Sequence, residues 1–230
     1  MRIKGIIFDK DGTLLKFTDM WRLGLEGLFD YYHIPEREKE EIRTKVGINN
    51  DLTVRENSIF ASGTIGDLAQ VFSGYISKPK GKIDEEITSY FLKYLKNRPQ
   101  MLVQTCDLRA TFEKLKALGI IIGVITADSY EQTKLSFEML KLDKYIEFTA
   151  TGDRYMSKPN PQSLDAFCDK FSLSRNEVAV VGDSETDMLL GNQAGMSIGV
   201  LSGVGTREML AKSADLVVQS PLDVVDVIKR

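Results

Sequence analysis

The sequence reads as an α/β protein, a Rossmann-like doubly wound parallel sheet with an inserted all-helical cap, and three observations predict it. After Pro99, short apolar runs alternate with amphipathic stretches of helical period. A lone apolar run ending at Phe8 precedes them, and between the two the apolar residues recur at helical spacing. Repeating β-α units with apolar strands make a parallel sheet sandwiched by helices. At 230 residues the chain exceeds one average domain. The helical stretch accounts for the excess, so the expected division is a core of residues 1–17 and 99–230 around a cap of residues 18–98.

Taken in order, Ile3-Lys4-Gly5-Ile6-Ile7-Phe8 is β-rich and stops at Asp9-Lys10-Asp11-Gly12, a buried strand that ends in a turn with acids at its C-terminal tip. Helical faces follow: Trp21, Leu25, Leu28, Phe29 and Tyr32, then Ile65, Leu68, Ala69, Phe72 and Ile76, then Ile87, Tyr90, Phe91, Tyr94 and Leu95. Pro35, Gly47, Gly63, Gly74, Pro79 and Gly81 punctuate four or five helices, and Ser62 or Thr64 would cap the one that follows. Beyond Pro99 the alternation predicts helices over 108–118, 130–140, 163–171 and 186–194 and strands over 120–125, 146–150 and 178–181. Shorter pairs end at Ile228.

Composition removes several function classes. With 30 basic and 33 acidic residues and no long Lys/Arg run, a nucleic-acid or anionic-membrane partner is not expected. The longest strongly apolar stretch, residues 119–126, falls well short of the roughly 18 residues that span a bilayer. Residues 5–8 are too few for a signal segment, so a soluble, cytoplasmic protein is expected. Cys106 and Cys168 lack metal or redox spacing and are read as buried structural thiols of a reducing compartment. The single histidine, His33, excludes Ser-His and Cys-His hydrolases and multi-histidine metal sites, and is read as a helix-end residue on the cap surface. Catalysis must then run on carboxylates, hydroxyls and lysine. Nothing in the sequence sets the oligomeric state.

Ligands of such sheets sit beyond the C-terminal strand ends. Asp9 and Asp11 stand at the first tip, with Gly12 allowing the tight backbone after them, and Thr126-Ala127-Asp128-Ser129 follow the second. Ser157-Lys158-Pro159-Asn160-Pro161 leads into a later helix, and Gly182-Asp183-Ser184-Glu185-Thr186-Asp187 forms a further tip. Clustered aspartates are costly unless a cation neutralises them, and hard oxygen ligands favour Mg²⁺. A nearby lysine, a hydroxyl and helix-start N–H groups would complete a site for a phosphoryl dianion, which points to phosphoryl transfer through a carboxylate nucleophile. A calcium loop starting at Asp9 is excluded, because it would need Gly at Leu14 and Glu at Met20.

Together these motifs resemble the haloacid dehalogenase superfamily, whose phosphatases carry D-x-D-G-T, a Ser/Thr, a motif lysine and G-D-x-x-x-D in that order. Here they read Asp9-Lys10-Asp11-Gly12-Thr13, Thr126, Lys158 and Gly182-Asp183-Ser184-Glu185-Thr186-Asp187. The helical insertion looks like the cap of the subgroup that includes phosphoglycolate phosphatases. The resemblance implies that Asp9 attacks phosphorus and forms an aspartyl-phosphate, and that Asp11 serves as acid and then base. It implies Mg²⁺ on the Asp9 carboxylate, the Asp11 carbonyl and Asp183, with Asp187 orienting a metal water. Thr126, Ala127 through its backbone, and Lys158 would bind phosphoryl oxygens.

The expected activity is hydrolysis of a small phosphorylated metabolite: phosphoglycolate, a sugar phosphate or a nucleotide monophosphate. A β-phosphoglucomutase-like phosphomutase and a non-catalytic phosphometabolite sensor or partner-regulating domain are the alternatives, and a dehalogenase is disfavoured by Asp11 and Asp183. One departure stands out: Ala127-Asp128 removes a side-chain donor and adds an acid; Lys10 is compatible with the pattern and is given no role beyond a surface or gate position. Ser129, Ser184 and Thr206 are read as helix caps. Phe17 and Trp21 are assigned to packing, and Arg22, Lys45, Asn49, Asn50 and Arg55 are the cap's candidates for substrate contact.

Overall fold

Six short apolar strands pair in parallel into a single sheet: β1 (Gly5–Phe8), β2 (Ile121–Thr126), β3 (Phe148–Thr151), β4 (Val178–Gly182), β5 (Met196–Val200) and β6 (Leu216–Val218). Their order is β3-β2-β1-β4-β5-β6, so the winding reverses at β1. The computed structural model describes residues 2–16, 18–49, 51, 53–55 and 58–229. Phe8, the last residue of β1, lies opposite Val124 of β2 and Val181 of β4. The register therefore brings the chain just after Phe8 between the loops that leave β2 and β4.

Alternate residues of each strand serve opposite faces, as a period of two requires. Ile6, Phe8, Val124 and Val181 pack with Leu108, Phe112 and Leu115 of α6 (Leu108–Ala117) and Val224 and Val225 of α11 (Pro221–Ile228). Ile7, Ile125, Val178 and Val180 face the other way, onto Leu164 and Phe167 of α8 (Gln162–Phe171) and Leu190 of α9 (Glu185–Gly191). The core also holds α7 (Tyr130–Met139) and α10 (Arg207–Leu210).

Between β1 and α6 come α1 (Thr18–Tyr31), α2 (Glu36–Val46), α3 (Ile59–Ser62), α4 (Ile65–Phe72) and α5 (Lys80–Asn97). They bury a cluster of their own, including Leu25, Phe29, Ile42, Phe72, Ile87 and Phe91. Where the chain leaves the core and where it returns, the two segments run together. Lys16 N–H donates to the Val103 carbonyl at 2.8 Å and Thr105 N–H to that of Leu14 at 3.0 Å. Trp21 packs against both the sheet cluster and the helical cluster.

The observed elements follow the periodicity to within a few residues at their ends. Ile76 is a correction: α4 stops at Phe72, before Ser73 and Gly74, and Ile76 packs on the helical cluster from outside the helix. The four-residue α3, capped by Ser58, is too short to carry a period and is absent from the sequence reading. His33 lies exposed just after α1, at a positive φ of 53°. Cys168 is buried, Cys106 is half-buried, and both are free thiols. Ser129, Ser184 and Thr206 cap α7, α9 and α10. Among the described residues, no helix is long and apolar enough to cross a membrane.

Candidate active site

The site is built on the turn that follows β1. Asp9 N–H donates to the Val181 carbonyl at 2.8 Å, which continues the β1–β4 ladder one residue past the strand and holds Asp9 at the switch point. The Lys158 ammonium reaches in from the loop before α8 and donates to Asp9 Oδ1 at 2.6 Å and to Asp187 Oδ1 at 2.5 Å. Asp187 belongs to the capping box of α9, where its Oδ2 accepts from the Ser184 N–H at 3.0 Å and hydroxyl at 2.5 Å. Asp183 Oδ1 accepts from the Thr13 hydroxyl at 3.0 Å, and its Oδ2 from the Val204 N–H at 2.8 Å. Gly12 turns at φ 87° directly beside Asp183, and a Cβ there would overlap that carboxylate.

Oxygens of Asp9, Asp183 and Asp187 lie within 4.8 Å of one another, and all three residues are buried. Burial, reinforced by the Asp187 and Asp183 carboxylates, pushes Asp9 well above the ordinary carboxylate range against the pull of Lys158. Burial and then Asp187 push Asp183 up to about 7, opposed by the Val204 N–H and the Thr13 hydroxyl. Burial works against the Lys158 ammonium, but Asp187 and Asp9 outweigh it and hold its pKa above the usual lysine range. One ammonium thus faces three buried acids. An all-oxygen donor set with this excess of negative charge fits a hard divalent cation.

The sequence candidates Asp9, Asp11, Thr126, Ala127, Lys158, Asp183 and Asp187 all line one cleft. Thr126 Oγ1 accepts the Asp128 N–H at 3.2 Å, which leaves its own hydrogen for another acceptor. Lys10 departs from expectation. It is neither at the surface nor a gate: its side chain is wholly buried, with Nζ 2.6 Å from Asp11 Oδ2 and 2.7 Å from Asp128 Oδ2. Burial disfavours that ammonium, yet Asp11 and Asp128 together hold its pKa above the usual lysine range. Asp128 is pushed up to about 6 by burial, opposed by Lys10 and reinforced by Asp11.

The far wall of the cleft is helical and mostly apolar: Trp21 of α1, Ile59 and Phe60 of α3, and Thr64, Ile65 and Leu68 around the start of α4. Trp21 packs on Phe91 at 4.7 Å between ring centroids, as expected, and it also lines the cleft. The proposed cap contacts lie elsewhere. Lys45 pairs with Glu41 and the Tyr75 hydroxyl, Asn49 donates to Thr53, and Arg55 donates to the Thr44 carbonyl. Arg22 is not among the residues that line the cleft, and Asn50 and Phe17 lie outside the described residues. A charged residue in a helical segment gives no sign of its distance from a site. The Thr64-x-x-Asp67 capping box after Gly63 marks where α4 starts, and only the fold brings that start to the cleft.

This fold, with buried acids and a lysine at the switch point of its parallel sheet, is that of a hydrolase built on a Rossmann-like α/β core. Residues 6–201 match the family model of the haloacid dehalogenase-like hydrolases, and the chain belongs to that family. It is similar to a phosphoglycolate phosphatase of Mannheimia succiniciproducens, 25% identical over 92% of each chain. It is likewise similar to the pyrophosphatase PpaX of Bacillus mycoides, 22% identical over 100% of this chain and 99% of that one. Among solved structures, a predicted phosphoglycolate phosphatase from Haemophilus somnus superposes with a TM-score of 0.74, at 21% identity over 99% of this chain and 98% of that one.

Proposed function

We propose that this protein hydrolyses a small phosphomonoester through a phosphoryl group carried on Asp9, with Mg²⁺ as the resident cation. The observation that carries this reading is the Lys158 ammonium joining Asp9 to Asp187, with Asp183 beside them in the same buried cluster. Asp9, Asp183 and the Asp11 carbonyl would hold the cation, with Asp187 next to it. When bound, it supplies the positive charge that lets a carboxylate approach an anionic phosphoryl group. Lys158 restrains the Asp9 carboxylate, and with the Thr126 hydroxyl it faces the phosphoryl oxygens.

Asp9 attacks phosphorus, a P–O bond forms to its carboxylate, and the P–O bond to the alcohol breaks. Asp11 gives the departing oxygen its proton. As a carboxylate, Asp11 then takes a proton from water, the water oxygen attacks the phosphoryl group, and Asp9 is freed with release of phosphate. Two carboxylates divide nucleophilic from acid-base work, which suits a chain with one histidine placed outside the site.

The helical wall selects the alcohol. Trp21, Ile59, Phe60, Ile65 and Leu68 cover it with apolar surface, against which a second anionic group would be desolvated without a partner. This favours an ester with an uncharged body of low polarity over phosphoglycolate, pyrophosphate or a bisphosphate. A panel of phosphate esters with Mg²⁺ tests the reading: Asp9→Asn is expected to abolish turnover of every active substrate, and EDTA to suppress it. Hydrolysis of p-nitrophenyl phosphate that survives both treatments would overturn the proposal.

A further inference from the structure

We propose that Lys10 and Asp128 form a buried clamp that positions the Asp11 carboxyl for proton exchange, so that Lys10 is a positioning residue of the active site. This rests on the reading of Asp11 as acid and base. Lys10 stands between the two aspartates of the first turn, where its carbonyl accepts the N–H groups of Leu14 and Leu15, both at 2.9 Å. Its side chain runs inward to Asp11 and to Asp128, the second residue after Thr126 on the neighbouring strand's loop. Asp128 is anchored in turn: its N–H meets Thr126 Oγ1, and its carbonyl accepts the Gly152 N–H at 2.9 Å.

A lysine ammonium withdrawn from water needs carboxylate partners, and a carboxylate at that depth needs a cation. Lys10 and Asp128 satisfy one another. The acid that departs from the family pattern, Asp128, is therefore the counter-charge of Lys10. The consequence falls on Asp11. Its Oδ2 is tied to Lys10, whereas its Oδ1 is buried with no hydrogen-bond partner among the described residues. An ion pair at one oxygen restrains the rotamer of the carboxyl, and the unpaired oxygen, on a residue that lines the cleft, is the one left to carry the proton.

The test separates positioning from mere structure by the leaving group. Benzyl alcohol must be protonated as it departs, whereas p-nitrophenolate leaves without a proton. kcat/KM reports the steps up to that departure, so only the acid role of Asp11 enters it. For Lys10→Met, kcat/KM for benzyl phosphate should fall about 100-fold and that for p-nitrophenyl phosphate less than about 5-fold. Asp128→Asn, which keeps the shape of the clamp but removes its charge, should move the same ratio by about 10-fold and decides the matter if Lys10→Met does not fold. Equal losses on both esters, or no loss on either, would overturn the clamp. If Asp9→Asn and Asp11→Asn retain full turnover, the active-site reading itself has failed. If both are inactive while Lys10→Met treats the two esters alike, only the clamp has.

Discussion

Asp183 shows what a single buried carboxylate imposes on this protein. In the unfolded chain it ionises near 4, as an ordinary aspartate does. In the folded, metal-free chain it keeps its proton until about 7, because burial and Asp187 disfavour its charge. Between those values the folded state binds more protons than the unfolded state, so stability falls as pH rises from about 4 to about 7 and then levels off. Asp128 adds to the same trend up to about 6. Thermal unfolding of EDTA-treated protein should therefore show a Tm lower by roughly 5 °C or more at pH 8 than at pH 5. Mg²⁺ should raise Tm more at pH 8 than at pH 5, and an equal rise at both would contradict the buried acidic cluster as its site. At this scale the sequence was informative where a residue belongs to an ordered motif, as Asp9, Lys158 and Asp183 do. It was silent on Lys10, whose partner Asp128 is distant in the chain and near only because β1 and β2 are adjacent.

Among the elements, α4 ties local chemistry to the cleft. Thr64 Oγ1 accepts the Asp67 N–H at 3.2 Å, and Asp67 Oδ2 accepts the Thr64 N–H at 2.8 Å, so two free donors at the helix start are satisfied by one pair. Thr64 also meets the core, since a Cβ on Gly152 would press on its methyl group and on the Ala127 carbonyl. Thr64→Ala should cost about 1 kcal/mol in urea unfolding, as the loss of an N-cap does, with Thr64→Ser near the parent. Because Ile65 and Leu68 stand on the same helix in the cleft wall, Thr64→Ala should also raise KM more than it lowers kcat. Most helices of eight residues or more, and the first four strands, were legible from period; α2, charged along most of its length with only Ile42 and Val46 buried, was not. The short α3 was not, although its Ile59 and Phe60 face the site.

Over the whole molecule, the cleft lies between two separately packed bodies of side chains, and Trp21 touches both as well as the cleft. It is also the only tryptophan in the chain. Its fluorescence should report closure of the helical segment on the core: orthovanadate with Mg²⁺ is expected to shift the emission maximum, and Asp9→Asn to remove that response. An unchanged spectrum under saturating vanadate would place the helical segment in one fixed position. The alternation of apolar strands and helices, the helical run after β1, and the three strand-tip motifs with the lysine loop before α8 were enough to name the fold and the residues around Asp9. They suffice because a period reports which face of an element is buried, and a parallel sheet delivers every strand tip to one edge. Which cap residues reach the cleft, and the burial of Lys10 between Asp11 and Asp128, became visible only in three dimensions. Those facts depend on distances between segments far apart in the chain, which strand order and packing set and no local pattern encodes.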